Sequence, residues 1–357
     1  MQQLNLFGSK TTSIVGKGQS VRFPLMTPLV TSYMMPLYDN FNQKTLDTKT
    51  SLIEPLKDLS NLVYGVFGQN SPSYDFMPCE KIELNDNTND VVLGFSGGLD
   101  SCYQALLLKD AGYNVHLFHV SGVHAYEGLS EIPAVFSFAE KNDMDLIVVK
   151  WKRDNRKDNK YRQQWGDNAI KNQLIEAMMI DYCAEKGWNK ISIGEDNSYS
   201  IYRSDVMLGT NVTDCKEVQT AFEQAVKQFV GNVQFMLIER PTNSQIHNKF
   251  ERLKLMKERG LIDDYYSCVG AGRFNKYNHD VNEIKYDVKL TKYNCGCACT
   301  KCALHNLVMH YGGLCTFPQP FIDKCWERLN KTAYNNMTAM FGLDIPIEQR
   351  VQNILTY

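Results

Sequence analysis

The chain has 357 residues, 43% of them hydrophobic and 22% charged, with 38 Lys and Arg against 40 Asp and Glu. That composition excludes a disordered or fibrous chain, and the near-neutral charge argues against a protein that coats nucleic acid by charge alone. No apolar run approaches the roughly 20 residues that span a bilayer, and the N-terminus lacks the charged start and apolar block of a secretory signal, so a cytoplasmic chain without a membrane partner is expected. Residues 1–88 are rich in Pro, Ser, Thr and Asn and carry no readable chemistry; a short helix near 47–62, kinked at Pro55, is the one element expected there. The Asn/Asp-rich stretch at 84–90 reads as a linker. From Val91 the pattern becomes a short apolar strand, a helix closed by Gly112, a strand at 115–120, a helix at 130–142 and a strand at 146–150. A long helix at 168–186, a strand at 190–194, a helix at 216–229, a strand at 233–238 and a helix at 244–259 follow. Strands alternating with helices predict an α/β domain over 89–265, with a parallel five-stranded doubly wound sheet. Residues 266–313 form a cysteine-rich region, in which 269–294 reads as an insertion, and 314–357 a helical tail.

The sharpest motif is FSGGLDS, from Phe95 through Ser96, Gly97, Gly98, Leu99 and Asp100 to Ser101. It follows a buried strand and opens a helix. Two glycines permit a tight turn and close backbone approach to an anion, and the N–H groups of the helix start bind phosphate oxygens. Ser96 and Ser101 add hydroxyl donors, and Asp100 is placed to hold a Mg²⁺ that bridges pyrophosphate oxygens. Neither the Walker A pattern nor the full GxGxxG is present. The bland reading is a strand-to-helix turn without ligand.

The 11 cysteines are unevenly spread, with Cys295, Cys297, Cys299 and Cys302 falling in one short run. In a long chain without an export signal, clustered thiolates suggest metal. Cys299 and Cys302 form a CxxC pair, Cys268 is available as a remote ligand, and the fourth position falls to Cys295 or Cys297, with Cys295 slightly preferred. A local quartet of 295, 297, 299 and 302 is the tighter alternative, and a redox dithiol that carries sulfur is a further one.

FSGGLDS resembles the PP-loop of the ATP pyrophosphatases in the adenine nucleotide alpha-hydrolase-like superfamily. Together with the cysteine knuckle, it resembles the 7-cyano-7-deazaguanine synthase family over about residues 91–313. The resemblance implies ATP and Mg²⁺ for adenylation, and a structural Zn²⁺ on Cys268, Cys295, Cys299 and Cys302. It implies a role for Gly194 beside the nucleotide and for Lys249, in the Asn248–Lys249 pair, near the phosphates. It places His124, Lys171, Asn172, Glu195, Asp196 and Asp205 on the substrate side. The implied reaction activates the carboxylate, and then the amide, of a 7-deazaguanine or a conjugate of it for attack by ammonia or an amine; a homodimer is compatible with this. The chain departs from the family in its CGCACTKC knuckle, in the long gap after Cys268, and in Lys171 and Arg203 where the family has Arg and Pro. Two other functions compete: thiolation of an RNA nucleobase, which the CxxC and the basic, aromatic stretch at 151–165 favour, and a zinc-containing scaffold without turnover.

Overall fold

The computed structural model describes residues 5–6, 9–10, 12–15, 50–66, 70–71, 73–77, 81–85, 88–121, 131–150, 170–194, 215–236, 245–266, 268 and 276–329. Contacts divide the chain into two compact units.

The first unit draws on 1–95, 105–124 and 144–238. Its short N-terminal strands are β1 (Asn5–Leu6), β2 (Ser9–Lys10), β3 (Thr12–Val15), β4 (Thr50–Ile53), β5 (Tyr74–Met77) and β6 (Ile82–Glu83). Then come β7 (Asp90–Gly94), β8 (Asn114–Ser121), β9 (Asp145–Lys150), β10 (Lys190–Ile193), β11 (Val230–Gly231) and β12 (Gln234–Met236). The main sheet runs β12-β10-β7-β8-β9-β3. Its first five strands are mutually parallel, and β3 closes the edge antiparallel to β9. Val91, Val92 and Leu93 of β7 are buried, which is why this strand reads as a continuous apolar run; all four residues of β10 are buried too, with Lys190 and Ser192 bonded to backbone carbonyls. From β7 the chain adds β8 and β9 on one side, then crosses back to lay β10 and β12 on the other. The carboxyl ends of β7 and β10 therefore mark the topological switch point, where open α/β sheets bind ligands.

Helices α1 (Lys57–Val66), α4 (Lys171–Lys186) and α5 (Lys216–Phe229) belong to this unit. Helix α5 buries Val218, Phe222, Ala225, Val226 and Phe229, a stripe at helical spacing. Helix α4 ends at Gly187, whose φ of 72° lets its N–H close on the Cys183 carbonyl. Two expectations for the N-terminal region need correction. The helix near 47–62 is instead strand β4, a 3₁₀ turn at Glu54–Leu56 and then α1. Pro55 sits in that turn ahead of the helix, where a missing N–H costs nothing and no kink arises. Nor is 1–88 set apart from the α/β domain: β6 pairs with β11, α1 packs on α5, and Leu52, Leu56 and Val63 share one core with Phe222 and Phe229.

The second unit comprises 96–104, 125–143 and 239–357. Helix α2 (Leu99–Asp110) starts here and its later turns lie in the first unit. The unit also holds α3 (Glu131–Lys141), α6 (Gln245–Glu258), α7 (Lys276–Tyr286), α8 (Thr300–Tyr311) and α9 (319–329). Helix α7 lies inside the stretch 269–294 that reads as an insertion. Its Asn282 is buried and donates to the Asn278 and Cys295 carbonyls, so a sequence of helical but polar residues is held in place by backbone partners. Helix α6 packs on α8. No helix among the described residues is long and apolar enough to cross a membrane.

Candidate functional site

Strand β7 delivers the chain to Phe95, which is buried; its N–H bonds the Phe118 carbonyl at 2.8 Å. The Phe95 carbonyl accepts from His119 Nδ1, also at 2.8 Å. Burial pushes His119 below the usual histidine range, so the ring is neutral, with its proton on Nδ1. His119 was not singled out by sequence, because an isolated histidine in an apolar strand carries no pattern.

The glycine loop follows. Gly97 has φ of 73°, and a Cβ there would lie 2.9 Å from Val135 Cγ2, so both backbone and space exclude a side chain. Ser96 is exposed and Ser101 buried, and both hydroxyls bond within the loop. Ser96 Oγ accepts the Gly98 N–H at 3.2 Å, Ser101 Oγ donates to the Gly98 carbonyl at 3.0 Å, and the two hydroxyls are 3.3 Å apart. The Gly98 carbonyl also accepts from Cys102 N–H, the first bond of α2. Leu99 is buried and anchors the turn. The N–H groups of the first helical turn have no partners within the helix, and this leaves an anion-binding end.

Asp100, expected to hold Mg²⁺, stands in the first turn of α2. Its Oδ1 pairs with Nη1 of Arg252, a residue only 3% exposed on α6. Burial opposes a charge on Asp100, but Lys249, Arg252 and Lys301 together overcome it and hold the carboxyl well below the usual range. Arg252 also lies over the Tyr103 ring at 5.7 Å. Sequence reasoning found Lys249 but missed Arg252 and Lys301. Arg252 stands three residues past Lys249 on the same helix, and that spacing was the one available signal.

The Sγ atoms of Cys268, Cys295, Cys299 and Cys302 lie within 4.8 Å of one another, all buried. Cys297 is outside this set; its Sγ donates to Asn282 Oδ1 at 3.0 Å. Backbone N–H groups of Cys295 and Cys302 point at the sulfurs of Cys302 and Cys299, each at 3.4 Å. S–H donation from Cys268, Cys295 and Cys302 drives Cys299 toward thiolate. Four converging, N–H-supported sulfurs fit a metal ion. Asn294 and Asn306 lock the knuckle from behind, through mutual side-chain bonds and bonds to Gly296. His305, one turn past Cys302, is fully buried 3.4 Å from Tyr265 Oη, and burial with the nearby Lys249 and Lys301 keeps it neutral.

Of the other expected site residues, Lys171 and Asn172 open helix α4, with Asn172 buried, and Gly194 directly follows β10. His124, Glu195, Asp196 and Asp205, and the basic stretch at 151–165, lie outside the described residues.

No family model and no curated protein matches the chain. Solved structures similar to it include a predicted subunit of tRNA methyltransferase from Methanocaldococcus jannaschii (19% identity, 51% of this chain and 94% of that one, TM-score 0.26). Another is the U34-tRNA thiolase NcsA from Methanococcus maripaludis with its 4Fe-4S cluster (17% identity, 65% of this chain and 73% of that one, TM-score 0.29). At these TM-scores neither similarity carries an argument about this chain.

Proposed function

We propose that the chain is an ATP pyrophosphatase of the PP-loop type that adenylates an oxygen of a nucleobase-type acceptor. The observation that supports this best is the gathering of Lys249, Arg252 and Lys301 at Asp100, in the first turn of the helix that the glycine loop opens. Such a site offers backbone N–H groups, two hydroxyls and two lysines to a polyphosphate, beside the buried Asp100–Arg252 pair. A carboxylate cannot expel oxide. Attack of its oxygen on the α-phosphorus of ATP releases pyrophosphate and leaves an acyl adenylate, from which ammonia displaces AMP to give an amide. A second ATP activates the amide oxygen, and loss of AMP and protons leaves a nitrile. The basic side chains hold the phosphates and neutralise charge on the leaving pyrophosphate, and the neutral His119 fixes the carbonyl at the loop's start.

We assign the acceptor as a 7-deazaguanine carboxylate, on the motif resemblance and on the metal site. Four thiolates on a single tetrahedral Zn²⁺ stand about 3.8 Å apart. On the corners of a 4Fe-4S cubane they stand roughly 6 Å apart. Separations within 4.8 Å favour one ion with no open position. Zinc on Cys268, Cys295, Cys299 and Cys302 would then be structural, and would hold the knuckle's shape without entering the reaction. The second reading, RNA thiolation, uses the same adenylation with sulfur as the incoming nucleophile, and the CxxC pair of Cys299 and Cys302 favours it. Incubation with ATP, Mg²⁺, ammonium and 7-carboxy-7-deazaguanine, followed by mass spectrometry, separates the two. Amide and nitrile support the first reading. An unchanged base, together with ATP-dependent sulfur incorporation into RNA, replaces it with the second.

A further inference from the structure

The glycine loop and the four-cysteine cluster are linked through Asp264, Tyr266 and Cys268. Asp264 is 2% exposed; Oδ1 accepts from Ser137 Oγ at 2.7 Å and Oδ2 from Lys141 Nζ at 2.6 Å, which ties the segment to α3. Two residues on, Tyr266 donates its backbone N–H to the Gly97 carbonyl at 2.6 Å. Two residues further, Cys268 supplies the remote thiol of the cluster. Tyr266 packs in one buried group with Ala134, Tyr293 and the four cysteines. Val135, next to Ala134, is the side chain that walls Gly97. The peptide of the loop's left-handed glycine is thus held by Tyr266, two residues after a carboxylate tied to α3 and two residues before a metal-ready sulfur.

We propose that the metal site braces the glycine loop, with Tyr266 as the positioning residue. Filling the four-thiol site fixes Cys268, and the Tyr266 amide then holds Gly97 in the conformation that presents the loop's N–H groups to an anion. No sulfur needs to touch the ligand. Without metal, four thiols lose their common partner, Cys268 is released, and the loop loses a bond that no side chain replaces. The brace deepens the nucleotide reading of the loop, but its first readout stands apart from that reading.

The test is hydrogen exchange by mass spectrometry on the full chain, metal-loaded and after chelation, with metal content measured. Peptides covering 95–104 report the loop, and peptides from β7 and β8 report the sheet. The expected result is a loss of loop protection of about tenfold on metal removal, with the sheet changed less than about twofold. ATP binding should weaken by about tenfold in the same samples, and added Zn²⁺ should restore both. Tyr266→Pro, which deletes the N–H donor, should raise loop exchange at unchanged metal content, whereas Tyr266→Ala, which keeps the amide, should leave it within about twofold of the parent. Unchanged loop protection in metal-free chain overturns the brace. Equal loss in loop and sheet also overturns it, because the metal would then serve folding as a whole. Loop loosening on chelation in a chain that never binds ATP supports the brace and overturns the nucleotide reading.

Discussion

Asp100 and Arg252 form the ion pair on which the basic cluster is built, and a double-mutant cycle measures it. Arg252 is 3% exposed and Asp100 30%, so the two single replacements should not cost the same. Asp100→Asn leaves a buried guanidinium facing Lys249 and Lys301 without this carboxylate. Removing one partner of a buried pair costs about 3–5 kcal/mol, and partial exposure places this case near 3. Arg252→Met leaves a partly hydrated carboxylate that keeps two lysines, and about 2 kcal/mol is expected. The double variant removes both charges, so its cost should fall short of the sum by about 1–2 kcal/mol. Urea unfolding of the four chains at pH 7 gives these values. The folded-state pKa of Asp100 lies below its unfolded value, so the pair contributes in full above about pH 4 and is lost as pH falls from there. Additivity within about 0.5 kcal/mol, or a wild-type advantage over Asp100→Asn that persists unchanged well below pH 4, would refute the coupling.

Three other outcomes follow from the same geometry. Gly97→Ala places a Cβ 2.9 Å from Val135 Cγ2 at φ of 73°, and should weaken ATP binding by at least about tenfold; Val135→Ala in addition should recover only the steric share, because the left-handed backbone still costs about 1–2 kcal/mol. Metal analysis should find about one zinc per chain in the parent and in Cys297→Ser, and almost none in Cys295→Ser; equal zinc in both variants would contradict the assignment. His119 is buried neutral while its unfolded counterpart titrates near pH 6.5, so it makes stability fall as pH drops below that value, by up to about 1.4 kcal/mol per pH unit. His119→Gln should flatten the unfolding curve over that range by one proton.

The parts of the fold that sequence revealed are those with local causes. The run from Val91 to Leu93 is apolar on both faces because both faces are buried, and the loop after it announces itself because only glycine tolerates φ of 73° against Val135. The Val218, Phe222, Val226 and Phe229 stripe made α5 legible for the same reason. What stayed hidden depends on partners distant in the chain. The β3 edge strand is defined by β9, and β6 by β11, neither of which has a local signature. Arg252 acquires its role from Asp100, and Tyr266 from Gly97; an arginine on a polar helix or a tyrosine before a cysteine looks ordinary until the chain folds. Helix α7 lay within a stretch read only as an insertion, because its Asn and Asp residues give a weak helical signal, and it is secured through Asn282 to the Cys295 carbonyl. The choice of Cys295 over Cys297 turns on which sulfur faces inward, and spacing alone left that open.

The central claim is that an acceptor oxygen attacks the α-phosphorus of ATP. Isotope transfer tests it most directly. The chain is incubated with Mg²⁺, ATP, ammonium and 7-carboxy-7-deazaguanine carrying ¹⁸O in its carboxylate, and the nucleotide products are weighed by mass spectrometry. The account predicts AMP that has gained one ¹⁸O, with unlabelled pyrophosphate. Formation of ADP with the label in inorganic phosphate would place the attack at the γ-phosphorus and contradict it.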